Sequence, residues 1–123
     1  MIESVVIEAN THGGAIFALG ANETVKISDS SGYVVKTVPR ESVWMAQTPQ
    51  AFKYGVLKNA YAAPSGDGFS ATDESMLVER SGIKVRLLEG SSDNIKITTE
   101  GDFEHAELIY NNRITKSGNT ERN

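Results

Sequence analysis

Cysteine is absent from this 123-residue chain. That excludes a disulfide framework and any thiolate zinc site, and leaves an intracellular setting as the default. Positive charge is not in excess either. Twelve Lys and Arg stand against sixteen Asp and Glu, a net charge of −4, so the basic face that a nucleic-acid partner demands lacks the cations to form. A few local cations still suffice for a small anion. No apolar run approaches membrane-spanning length, and Glu3 and Glu8 occupy the place where a signal peptide carries positive charge. These gaps predict a cytoplasmic protein with no membrane partner. The eleven glycines are scattered, and no Gly-rich loop able to wrap a nucleoside triphosphate is among them.

What is present reads as one domain of ordinary composition, 39% hydrophobic, with less margin for burying a core than a larger domain has. Ile2, Val5, Val6 and Ala9 recur at helical spacing, and Gly13-Gly14 stops that helix. A strand over 15–19 follows. Residues 24–28 and 33–38 are rich in β-branched side chains and flank Asp29-Ser30-Ser31-Gly32, the pattern of an antiparallel hairpin projecting as an arm.

Thr48-Pro49 predicts a helix start, with the threonine oxygen as cap and proline in the first turn, and a helix over 50–61. A turn-rich loop covers 64–68. Thr72 predicts a second cap, with Asp73 and Glu74 complementing the positive helix end and Ser81-Gly82 ending the helix. Short strands are expected at 85–88 and 95–98. Thr99 with Asp102 resembles a capping box for a final helix that turns Phe103, Ala106 and Ile109 inward, followed by a disordered polar tail over 116–123. Alternating helices and strands predict an α/β sandwich with about three core strands, and hence an exposed sheet edge that another segment or a partner must cover.

Three phrases run in order along the chain: Arg40-Glu41-Ser42-Val43-Trp44-Met45-Ala46-Gln47-Thr48-Pro49-Gln50-Ala51-Phe52, Thr72-Asp73-Glu74-Ser75-Met76-Leu77-Val78-Glu79 and Asn94-Ile95-Lys96-Ile97-Thr98-Thr99. Together they resemble the C-terminal half of the 2-C-methyl-D-erythritol 4-phosphate cytidylyltransferase family, over residues 2–109. The resemblance implies a partial nucleotidyltransferase, a Rossmann-like three-layer sandwich over 1–115 with a hairpin arm at about 20–43. It also implies CTP-dependent transfer of CMP to methylerythritol phosphate in the non-mevalonate pathway, with Mg²⁺ in the complete enzyme and a homodimer formed through the arm. The family's Ala-Ala-Gly-x-Gly-x-Arg loop, a further lysine and an acidic metal-binding position belong to its N-terminal half. None occurs in these 123 residues, so the chain alone is expected to be inactive and to bind no metal or nucleotide cofactor.

The resemblance also implies residue roles. Lys96 falls at the reacting phosphates, where an ammonium group offsets accumulating negative charge. Without the family pattern an ordinary surface lysine is the plainer reading. Arg40 aligns with an arginine that grips the substrate phosphate in the neighbouring subunit's site, a task suited to a planar guanidinium fork; Thr24 aligns with a threonine of the same purpose. Thr48, Thr72 and Asp73 match positions around the polyol phosphate, and each also has a structural reading as helix cap or dipole partner. His12 and His105 read as surface histidines, Glu104 and Glu107 as a solvated helix face, and Trp44 and Phe52 as core packing. One alternative is a stand-alone, non-catalytic module for dimerisation or polyol-phosphate binding. Another is a fragment of a ribitol-phosphate cytidylyltransferase, whose Thr-Pro-Gln and Asn-x-Lys phrases are similar; Thr72-Asp73-Glu74-Ser75 looks more like the methylerythritol branch.

Overall fold

Four consecutive residues, Ala15, Ile16, Phe17 and Ala18, are each no more than 4% exposed, which a strand achieves only when both of its faces and both of its edges are covered. They belong to β1 (Gly14–Gly20), the middle strand of a three-stranded sheet in the order β4-β1-β5. The computed structural model describes residues 1–63 and 68–120. They divide into two compact units, residues 1–90 and 91–123.

In the first unit, α1 (Ile2–His12) lays Val5 and Ala9 against Ala15 and Phe17, with Ala51 and Leu88 completing the cluster. The expected stop holds. Gly13 has φ 96°, a left-handed conformation that disfavours a side chain, and its N–H donates to the Ala9 carbonyl at 2.8 Å. Gly14 is glycine for a different reason: a Cβ there would lie 2.7 Å from the Phe52 ring.

From Gly20 the chain leaves the sheet as β2 (Val25–Ser28) and β3 (Val34–Val38), an antiparallel hairpin in the expected place. Asp29 makes its turn, since one carboxylate oxygen accepts from the N–H groups of Ser31 and Tyr33, both at 2.9 Å. A 3₁₀ turn over Arg40–Ser42 then leads into β4 (Trp44–Phe52), antiparallel to β1, with Trp44 opposite Gly20 and Phe52 opposite Gly14.

β4 corrects the helix start expected at Thr48-Pro49. Ile16 pairs with Gln50 and Phe17 with Gln47, so Thr48 and Pro49 are extra residues bulged out of the ladder, joined by a cis peptide bond. A bulge is where a strand tolerates proline, which has no N–H to offer a neighbour. The bare edge of β1 outcompeted the local helix signal. The helix begins later, as α2 (Tyr54–Ala62), and Lys53 rather than Thr48 is its N-cap residue.

The expected turn over 64–68 lies, apart from Gly68, outside the described residues. α3 (Glu74–Arg80) packs on α2 and on β1, and Val78 is fully buried. Its cap is Asp73, whose side chain accepts from the Met76 N–H, and not Thr72. Asp73 is one residue closer and has an ionised oxygen to offer the free amide. β5 (Arg86–Glu89) then runs parallel to β1. With α1 on one face and α3 on the other, the layers are helix, sheet, helix.

The second unit is built on α4 (Glu100–Thr120). The strand expected over 95–98 is not formed, because β-prone residues become a strand only with a ladder partner and these have none among the described residues. Nor is Phe103 turned inward: it is 56% exposed, while Ala106 and Ile109 are half-buried. The helix continues to Thr120, through part of the segment expected as a polar tail; residues 121–123 lie outside the description.

The capping box does form. Asp102 Oδ2 accepts from the Thr98 and Thr99 N–H groups at 3.0 and 2.8 Å, and the Asp102 N–H donates to Thr99 Oγ1 at 3.2 Å. The Thr98 N–H first, then the hydroxyls of Thr98 and Thr99 and the Thr99 N–H, hold this carboxyl down at about 2 against the ordinary 3.8. Because the folded value is depressed, the cap's contribution is complete above the unfolded value and fades as pH falls through about 2. Protection of the Thr98 and Thr99 amides, measured by NMR exchange relative to the intrinsic rate at each pH, is therefore expected to hold down to about pH 3.8 and to be lost as pH falls through about 2. Asp102→Ala should show low protection at both amides at every pH.

Candidate functional site

The end of the bulge in β4 and the start of α3 are joined by a hydrogen bond. Gln50 Nε2 donates to Asp73 Oδ2 at 3.0 Å, and the other oxygen, Oδ1, accepts from the Ser75 hydroxyl at 2.9 Å and the Met76 N–H at 3.0 Å. Ser75 is buried, and Asp73 and Gln50 are partly so. Burial pushes the Asp73 carboxyl up, but the bonds from Gln50, Met76 and Ser75 outweigh it, and the group sits below its ordinary value. It is a carboxylate at neutral pH.

Thr48, in the bulge two residues before Gln50, and Thr72, beside Asp73, are both exposed. Thr72 Oγ1 lies 3.8 Å from Met76 Sδ. Thr72 and Asp73 line an open cleft of about 440 Å³ together with Tyr61, Phe69 and Arg80, whose guanidinium lies 4.3 Å from the centre of the Phe69 ring. At the start of α3 the Asp73 carboxylate accepts from the Met76 N–H.

The hairpin gathers a second pair. Thr24 directly precedes β2 and Arg40 follows β3 by two residues, which puts both at the open end of the arm, where Val25 pairs with Val38. Arg40 Nη1 donates to the Asn22 carbonyl at 2.9 Å, tying the two legs together. Both side chains are exposed. Lys96 belongs to the second unit, exposed on the irregular stretch between the 91–94 turn and the α4 cap.

The remaining candidates sort simply. His12 contacts Glu8 at 3.3 Å on the surface, and His105, Glu104 and Glu107 are exposed. Phe52 packs against Gly14, as expected of a core residue, but Trp44, at the sheet's end opposite Gly20, is 44% exposed. Among the described residues no three carboxylate, imidazole or thiol groups gather where they could hold a metal ion. Gln50 was missed by sequence reasoning as a site residue. Its place in the Thr48-Pro49-Gln50 phrase was the available signal.

The layers, the parallel β1–β5 pair and the excursion of the arm define a Rossmann-like α/β sandwich. A family model described as IspD, 2-C-methyl-D-erythritol 4-phosphate cytidylyltransferase, matches residues 1–112, and the chain belongs to this family. The 2-C-methyl-D-erythritol 4-phosphate cytidylyltransferase of Pelotomaculum thermopropionicum is 40% identical over 112 residues, covering 91% of this chain and 47% of that protein. That of Geotalea uraniireducens is 42% identical over 114 residues, covering 93% and 46%. The crystal structure of the Thermus thermophilus enzyme superposes with a TM-score of 0.75 at 31% identity, covering 89% of this chain and 54% of that one. For the 4-diphosphocytidyl-2C-methyl-D-erythritol synthase of Anaerococcus prevotii the values are 0.76, 34%, 87% and 49%. The chain thus spans about half the length of the curated relatives it matches.

No helix among the described residues is long and apolar enough to cross a membrane.

Proposed function

We propose that this chain supplies the sugar-phosphate-binding and dimerisation half of a cytoplasmic, CTP-dependent transferase that moves CMP onto 2-C-methyl-D-erythritol 4-phosphate. The observation that carries most of the reading is the convergence of the Thr48 bulge and the Thr72-Asp73 corner through the Gln50–Asp73 hydrogen bond. It sets an ionised carboxylate among exposed hydroxyl groups, the chemistry that recognises a polyol. Thr48, Thr72 and Asp73 hold the alcohol end of the substrate, and Lys96 serves the reacting phosphates. A phosphate oxygen of the polyol phosphate attacks the α-phosphorus of CTP, the α–β bridging bond breaks, and pyrophosphate leaves. The Lys96 ammonium offsets the charge that builds on the transferring group. CTP and the divalent ion are held by the portion of the relatives' length that this chain does not span.

The hairpin serves association in this proposal. Ile27, Tyr33, Val34 and Val35 are between 43% and 73% exposed, an apolar load on one arm that a second copy would cover, with Arg40 and Thr24 delivered to the neighbouring subunit's phosphate. The same exposed arm is the observation that favours the second reading, a non-catalytic association module. The Thr72-Asp73-Glu74-Ser75 corner favours methylerythritol phosphate over ribitol phosphate.

The test is pyrophosphate release from CTP, Mg²⁺ and each alcohol phosphate. The 123-residue chain alone should release none. The same chain joined to a nucleotide-binding half should form the CDP-alcohol with methylerythritol phosphate. Turnover by the isolated chain, a strong preference for ribitol phosphate, or inactivity of the joined protein would each overturn the reading.

A further inference from the structure

We propose that Gln50 is a positioning residue for polyol recognition: its side-chain amide fixes the plane of the Asp73 carboxylate and leaves that carboxylate free to accept one substrate hydroxyl. This rests on the reading of Asp73 as a polyol-binding group.

The argument starts from the capacity of the carboxylate. An ionised carboxyl group offers about four lone-pair positions. Two on Oδ1 are taken by the Ser75 hydroxyl and the Met76 N–H, and one on Oδ2 by Gln50 Nε2. The bonds to Oδ1 anchor Asp73 to its own helix but leave the second oxygen able to swing about them. Gln50 reaches across from β4, 23 residues away in sequence, and removes that freedom.

The state of the Gln50 amide shows which way its chemistry is directed. Turning it over would set its oxygen against an ionised oxygen, so the nitrogen must face Asp73. In that orientation Oε1 is buried and has no hydrogen-bond partner among the described residues. A buried acceptor without a donor destabilises a fold. If residue 50 served packing alone, an apolar side chain of similar length would do better there. The polar side chain gains one thing, the aimed carboxylate, and the two-residue bulge before it sets the strand so that the amide can reach.

Gln50→Met tests this, because it keeps length and volume while removing the amide. Three readouts are compared in the 123-residue chain: the urea unfolding midpoint, the affinity for 2-C-methyl-D-erythritol 4-phosphate by calorimetry, and the titration of the Asp73 carboxyl carbon by NMR. The expected result is an unchanged or higher midpoint, about tenfold weaker binding from loss of a hydrogen bond to a charged group, and a carboxyl titration moved upward. Asp73→Asn is the companion variant. If it weakens binding while Gln50→Met does not, the positioning role is overturned and the polyol reading of Asp73 stands. If the unaltered chain fails to bind, or Asp73→Asn leaves binding unchanged, the polyol reading falls and takes the positioning role with it. A clearly lowered midpoint in both Gln50→Met and Gln50→Leu would assign Gln50 to the fold alone and also overturn the inference.

Discussion

Phe17→Ala is expected to lower the unfolding free energy by about 3–5 kcal/mol, the range for removing a large aromatic side chain from a core that cannot collapse around the gap. The site has little room to relax. Phe17 is 4% exposed on the central strand, with Val5, Ala9 and Ala15 packed about it, and both of its strand neighbours are held by ladders to β4 and β5. Against a total stability of roughly 5–15 kcal/mol for a domain, the loss brings the variant near the unfolding threshold. Urea denaturation should show it as a lower midpoint with an unchanged slope, since the surface exposed on unfolding is nearly the same. Ile7→Ala is the matched control. Ile7 is 65% exposed on α1, and its truncation should change stability by less than about 0.5 kcal/mol. A similar cost at the two sites would mean that the core is not where the fold places it.

The second large effect concerns chemistry. With a nucleotide-binding half joined to the chain, Lys96→Ala should lower kcat by about 10²–10³-fold, the usual cost of removing one preorganised charge partner from a developing oxyanion. KM for the polyol phosphate should move far less, because the ammonium group acts on charge that accumulates during transfer and not on the resting alcohol. Steady-state pyrophosphate release separates the two constants. A loss smaller than about tenfold, or one confined to KM, would remove Lys96 from the reacting phosphates. Its surroundings make the folded-state control simple: it is exposed, so the substitution should leave the unfolding curve in place.

The pattern of what could be read without the structure follows from locality. Gly13-Gly14, the Asp29 turn and the Thr99–Asp102 box each depend on a few adjacent residues, and each formed as expected. Thr48-Pro49 failed for the opposite reason. Its local chemistry favours a helix start, but β1 presents an edge of backbone groups that must be paired once buried, and residues 44–52 satisfied it with a bulge to house the proline. The expected cap of α3 lay one residue early because Thr72 and Asp73 can both cap, and Asp73 is the closer and carries the ionised oxygen. Residues 95–98 had β propensity without a ladder partner among the described residues. Of the site, the motif phrases supplied the exposed threonines and Asp73, while Gln50, whose role is a tertiary contact, had no local signature beyond its neighbours.

The arm leaves and rejoins the sheet at a single rung, since Gly20 and Trp44 face each other in the β1–β4 ladder. Residues 21–43 therefore form a detachable module: replaced by a tight turn, they could be lost without shifting the register of either strand. Evolution can lengthen, shorten or exchange such an appendage while the scaffold beneath it stays fixed. Assembly and folding are thereby free to diversify at different rates within one chain.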